Sequence, residues 1–165
     1  MQKDAQYWID KLQLLPHPEG GYYKEVYRDK RIVKKEALAE KFHGDRNYST
    51  AIYYLLEKRD FSCFHRIKSD ELWHFYTGGS INIYYLKQGE LHTLKLGINI
   101  DNDESPICMI PKNTWFAAEP AIETEFALMG CTVAPGFDFN DFEKASKKDL
   151  KNYLIDYPDI NRLIY

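Results

Sequence analysis

Residues 61–79, FSCFHRIKSDELWHFYTGG, bring an imidazole, a carboxylate and an indole close together in the chain. Two short strands joined by a tight turn near Lys68 to Asp70 account for this segment. Alternate side chains of a strand share a face, so Cys63 and His65 point one way on the first strand, and Glu71, Trp73 and Phe75 share a face on the second. With both sets inside, His65 and Glu71 meet beside Trp73. Burial raises the pKa of a carboxyl, and a histidine exchanges protons near neutrality, so the pair is suited to general acid–base chemistry. The same residues also have structural uses, since a strand histidine commonly serves as a hydrogen-bonded core group and aromatic rings are large apolar units first.

Other side chains are candidates for holding a ligand. Glu19 precedes Gly20 and Gly21 in a turn, Thr50 and Tyr54 share a strand face with Ile52, and Trp115 follows a proline turn. Tyr54 is a conceivable proton donor. A metal centre needs about three protein ligands, and His65 and Glu71 supply two. By alternation His74 lies on the face opposite Glu71, and His17 reaches a barrel mouth only through a geometry the sequence does not specify. Cys63 shares the face of His65, but alternate residues on one strand are poorly placed for a thiol–imidazole relay.

The elements that position these residues are mostly strands. Thirteen Tyr, nine Phe and three Trp among 165 residues favour pleated, half-buried surfaces. Short β-rich runs fall at 22–28, 48–56, 61–67, 71–77, 80–87, 90–97, 107–110, 114–118 and 124–133, separated by Gly, Pro, Asn and Asp. So many strands in one domain must close or form two packed sheets to limit exposed edges, which a jelly-roll barrel achieves. Trp8, Leu12 and Leu15 give residues 4–15 an amphipathic helix ended by Pro16, and residues 36–42 form a helical turn or a loop. Ser146 caps a C-terminal helix carrying Leu150, Tyr153, Leu154 and Tyr157 on one face, a lid on the barrel's outside. Residues 1–165 read as one domain.

A net charge of −3 provides no basic face for a nucleic-acid backbone. Three dispersed cysteines suggest neither a disulfide framework nor a zinc knuckle. The absence of an apolar leader or spanning run points to a cytoplasmic protein without a membrane partner.

The residues resemble a known family. The interval from Glu71 to Gly78 is similar to the first cupin motif, in which a His-x-His pair precedes a Glu and then a Gly; His65 aligns with the first His, and Ile67 stands at the second. In the region resembling the second motif, residues 111–116, Asn113 replaces the Gly and Phe116 the His. Residues 16–22 (PHPEGGY), 49–56 (STAIYYLL), 64–66 (FHR), 70–76 (DELWHFY) and 130–137 (GCTVAPGF) resemble the fifth cupin domain family. That resemblance implies an all-β, cupin-type double-stranded β-helix with short terminal helices. It also implies a homodimer, for which the N-terminal segment is the expected contact, and departures from metal ligation shared across the family. No cofactor is required by the sequence, and a divalent metal would rest on His65 and Glu71.

Three functions fit these residues. The first is a small-molecule isomerase or epimerase using His65 and Glu71, by resemblance to the metal-free dTDP-sugar epimerases of the same fold, although few Arg or Lys stand near the motif for phosphates. The second is a non-catalytic module binding a carbohydrate-like or apolar ligand. The third is a metal-dependent oxygenase or hydrolase.

Overall fold

Burial along Asp70–Gly78 alternates at its start, with Glu71 and Trp73 buried and Leu72 and His74 partly exposed. The computed structural model describes residues 3–39 and 42–165; the alternation recurs along Ile107–Ile110, whereas Ser62–Arg66 and Phe126–Ala134 are mostly buried on both faces. Strands are numbered in chain order. One six-stranded sheet runs β1 (Leu15–Pro16), β2 (Tyr22–Arg28), β5 (Thr50–Glu57), β13 (Phe126–Ala134), β7 (Asp70–Gly78) and β11 (Ile107–Ile110). The other runs β10 (Glu104–Ser105), β9 (Glu90–Leu96), β8 (Ile81–Lys87), β12 (Phe116–Pro120), β6 (Ser62–Arg66) and β14 (Glu143–Lys144). A separate pair joins β3 (Ile32–Val33) to β4 (Arg46–Asn47).

The inner faces of the two sheets share one core. Tyr54, Trp73, Ile110 and Met129 come from the first sheet, and Ile81, Ile83, Leu96 and Phe116 from the second, all essentially without exposure. The outer faces are partly covered. Helix α1 (Ala5–Leu12) sets Trp8, Ile9 and Leu12 against Leu55 and Leu128. On the other side, Leu150, Ile160, Leu163 and Ile164 of the C-terminal segment cover Phe64, Leu86 and Ala117. No helix among the described residues is long and apolar enough to cross a membrane.

Several elements differ from the sequence-based expectation. Helix α1 begins after Asp4, whose side chain accepts from the Tyr7 N–H at 2.9 Å, but it stops at Leu12 because Gln13 turns left-handed at φ 56°. Leu15 and Pro16 then pair with Tyr23 and Tyr22. At the other end Ser146 and Asp149 hydrogen-bond as a cap, yet helix α2 (Lys151–Asp156) starts later and a 3-10 segment, Pro158–Leu163, completes the cover. A 3-10 turn occupies Lys35–Ala37, and the expected turn over 36–42 otherwise lies partly outside the described residues.

The largest correction concerns β6 and β7. They are not a hairpin: β6 pairs with β12 and β14, whereas β7 pairs with β13 and β11. Alternation specifies which side chains face inward, not which strand lies alongside. The three residues between them form a corner from one sheet to the other.

Candidate functional site

The corner sets His65 and Glu71 on facing sheets, and both line one cavity of about 520 Å³. A third element reaches the same space. The turn from His17 to Gly21 is closed by His17 N–H donating to Gly21 O at 2.8 Å and Gly20 N–H donating to His17 O at 3.0 Å. Gly20 has φ +117°, and a Cβ there would lie 2.0 Å from the Phe61 carbonyl oxygen, so only glycine lets the turn approach β6 this closely. The turn presents Glu19, 7% exposed.

Glu19 is held from several sides. Its carbonyl accepts from Cys63 N–H at 3.0 Å and its Oε1 from the Ser62 hydroxyl at 2.8 Å. Its Oε2 lies 3.3 Å from His65 Nε2. The opposite ring nitrogen of His65 is 2.7 Å from the Cys63 carbonyl oxygen. A carbonyl only accepts, so Nδ1 carries a proton, and Nε2 and Oε2 together form a place for one more. His17 flanks the couple: its Nδ1 accepts from the Glu19 backbone N–H at 3.2 Å, and burial holds its pKa below the ordinary histidine value despite the nearby carboxylate.

Across the cavity, Glu71 is 8% exposed. Burial first, and the charge of Glu19 second, push its pKa up to about 8, so it is largely a neutral carboxylic acid at pH 7. The Cys131 thiol and the Trp73 indole N–H are turned towards its carboxyl, the indole falling short of a hydrogen bond. Two acid–base groups in contrasting states therefore face each other across one space.

The expected site residues divide. Glu19, Thr50, His65 and Glu71 line the cavity. Thr50 serves its wall, with Oγ1 accepting from Phe137 N–H at 2.9 Å. Tyr54, Trp73 and Trp115 are not among the lining residues. The Tyr54 hydroxyl donates to Gly20 O at 2.8 Å and Trp73 belongs to the core. Trp115 lies near the C-terminal segment, with the Arg66 guanidinium 4.3 Å from its ring centre. The expected direct partnership of His65 with Glu71 is replaced by His65 with Glu19, because the two strands meet at a corner rather than side by side. His74 faces away, 3.1 Å from Thr132 Oγ1, as alternation requires.

Glu25, Arg28, Cys131, Asp138, Phe137, Phe139 and Phe142 also line the cavity and were not singled out from sequence. Cys131 was legible, since it alternates with Val133 on β13. Arg28 was hidden by a register shift between Glu25 and Tyr27, which reverses the face of the following residues.

A cupin metal does not fit these donors. Ile67 lines the cavity where the resemblance places a second His. The Phe116 ring packs on His65, centroids 4.1 Å apart, where a later His would stand. Among the described residues no group of three His, Cys, Asp or Glu side chains is placed to hold a metal ion.

Two facing sheets closed around a core, with a cavity at one end lined from both, define a cupin-type barrel. The chain belongs to the family described as Cupin superfamily (DUF985), whose model matches residues 6–145. It is 28% identical over 156 residues to Uncharacterized protein YML079W of Saccharomyces cerevisiae, covering 89% of this chain and 78% of that one. Among solved structures, protein SO0799 from Shewanella oneidensis superposes with a TM-score of 0.86 at 35% identity, covering 100% of this chain and 99% of that chain. A hypothetical protein from Leishmania major gives 0.84 at 29% identity, covering 98% and 99%. None of these three names states an activity.

Proposed function

We propose that the cavity binds a small molecule and transfers a proton on it, as an isomerase or epimerase does. The observation that carries this reading is the opposition of a neutral Glu71 on one sheet to the His65–Glu19 couple on the other. A carbon acid bound between them loses a proton to the couple, and the Glu71 hydroxyl supplies one to the opposite face or to the adjoining oxygen. The couple has a place for a proton and Glu71 has one to give, so no redox partner is needed.

The test is isotope exchange in deuterium oxide with a panel of small carbonyl compounds, followed by NMR. The enzyme reading expects deuterium next to the carbonyl of at least one compound, and its loss in a folded His65→Ala variant. Exchange unchanged in that variant would remove His65 from the reaction.

A second reading, a binding module without chemistry, is favoured by the three phenylalanines lining the cavity. Native mass spectrometry showing a metabolite retained and released unchanged, with no exchange across the panel, would select it. We further propose the homodimer implied by the family resemblance; a monomeric mass by light scattering at micromolar concentration would overturn it.

A further inference from the structure

The charges around the cavity constrain what enters it. Arg28 is the only Lys or Arg among the lining residues, and an arginine beside an acid–base pair is ordinarily an anion receptor. Here all five of its N–H donors are occupied. Nε and Nη2 donate to the two Glu25 oxygens at 2.9 and 2.7 Å, Nη1 donates to Asn47 Oδ1 at 2.7 Å, and Nη1 and Nη2 both donate to the Phe137 carbonyl at 3.2 Å. A guanidinium has no further donors, and the Glu25 carboxylate neutralises its charge. The cations just outside are also engaged. Arg46 and Lys68 face Asp141, and Lys144 donates to the Pro18 carbonyl. Among the lining residues no cationic donor is therefore left for a phosphate or carboxylate.

The carboxylates are not balanced in the same way. Glu25 is matched by Arg28 and Glu71 is largely neutral; Asp138 lies within the electrostatic reach of Arg28 and Arg46 but accepts no hydrogen bond from either among the described residues. Its Oδ1 accepts from Asn140 N–H at 2.8 Å, and its other oxygen makes no hydrogen bond there. It lines the cavity together with three aromatic residues, the Phe137 and Phe139 ring centres 5.0 Å apart and Phe142 6.2 Å from each. A cavity lined by a carboxylate and several aromatic rings suits an ammonium group, which gains both ion pairing and cation–π attraction.

Resting on the reading of this cavity as a small-molecule site, we propose that it takes a cationic substrate. The positively charged nitrogen lies by Asp138 and the Phe137, Phe139 and Phe142 rings, and the uncharged reacting portion reaches His65 and Glu71. Nucleotide sugars and other phosphorylated molecules are disfavoured, since the same lining residues offer a phosphate no free cationic donor.

Matched probes test this without any need for turnover. Benzylamine, benzyl alcohol and benzoate share a ring and differ in charge, and their affinities are measured by saturation-transfer NMR at pH 7 and low salt. Benzylamine is expected to bind roughly fivefold or more tightly than the alcohol, with benzoate weakest. Asp138→Asn retains the Oδ1 acceptor for Asn140 and is expected to bring benzylamine down to the level of the alcohol. Glu25→Gln leaves the Arg28 charge unmatched and is expected to strengthen benzoate. Benzoate equal to or tighter than benzylamine, no benzylamine binding at millimolar concentration, or a folded Asp138→Asn variant with unchanged preference would each overturn the proposal. Charge preference without deuterium exchange would remove the proton-transfer reading and leave this one standing; exchange without charge preference would do the reverse.

Discussion

Glu19 Oε2 lies 3.3 Å from His65 Nε2, although the two residues stand on a turn and a strand far apart in the chain. Glu19→Gln removes that oxygen's negative charge, so the imidazole loses its charged partner. Deuterium exchange is expected to fall about 100-fold, with the fold retained. The same change removes the leading influence that raises the His17 pKa, so His17 should titrate lower still, as followed by NMR of its ring protons.

Glu71 makes stability depend on pH in a stated direction. Its folded pKa, about 8, is above the ordinary 4.5, so the folded state binds this proton more tightly than the unfolded state. Its contribution is fully present below pH 4.5, is lost as pH rises towards 8 and is flat above, a span of roughly 4–5 kcal/mol. Glu71→Gln has no such proton to lose. Its stability relative to the parent, from urea melts, should rise between pH 5 and 8; a constant difference would mean that Glu71 is not raised.

Arg46 and Asp141 form a buried ion pair with side chains 5% and 4% exposed, and Lys68 Nζ lies 3.4 Å from the same carboxylate. Removing Arg46 leaves the buried Asp141 with Lys68 alone, so Arg46→Ala is expected to cost about 3 kcal/mol in urea unfolding, the low end for a broken buried pair. Because Asp141 lies between Phe139 and Phe142, ligand affinity should fall along with stability.

Tyr54→Phe separates the possible roles of this tyrosine. The hydroxyl donates to Gly20 O at 2.8 Å, and loss of that bond is expected to cost about 1 kcal/mol. Deuterium exchange should persist; its abolition would make Tyr54 the proton donor in place of Glu71.

Gly20→Ala tests the turn that carries Glu19. A methyl group would meet the Phe61 carbonyl at 2.0 Å on a backbone with φ +117°. The variant is expected to lose more than about 2 kcal/mol and, where still folded, to bind ligand weakly, since Glu19 cannot stay beside His65.

Much of this molecule was legible in its sequence. The span of β2 was read as Tyr22–Arg28, and the inward faces of β6 and β7 followed from the two-residue period. Glu19 was singled out from its place before two glycines, but its partner was not, because a turn's approach to a distant strand leaves no local pattern. Arg28 was missed through a bulge, and the corner between β6 and β7 was taken for a hairpin because both connections use short polar turns. Periodicity reports the face of a residue; pairing across the barrel depends on contacts remote in the chain.

That corner sets the width of the cavity. Its three residues are each tied elsewhere: Ile67 O accepts from Asn113 N–H at 2.7 Å, Lys68 reaches Asp141, and the Ser69 hydroxyl donates to Pro135 O at 2.8 Å. The acid on one wall and the base on the other are thus joined by a short, anchored length of main chain. Breathing of the two sheets is restrained at the site itself, and access for a ligand falls to the aromatic rim and the Glu19 turn. A single residue inserted between Arg66 and Asp70 would widen the gap and shift the register of one wall against the other, making this corner a natural gauge for the size of molecule the barrel accepts.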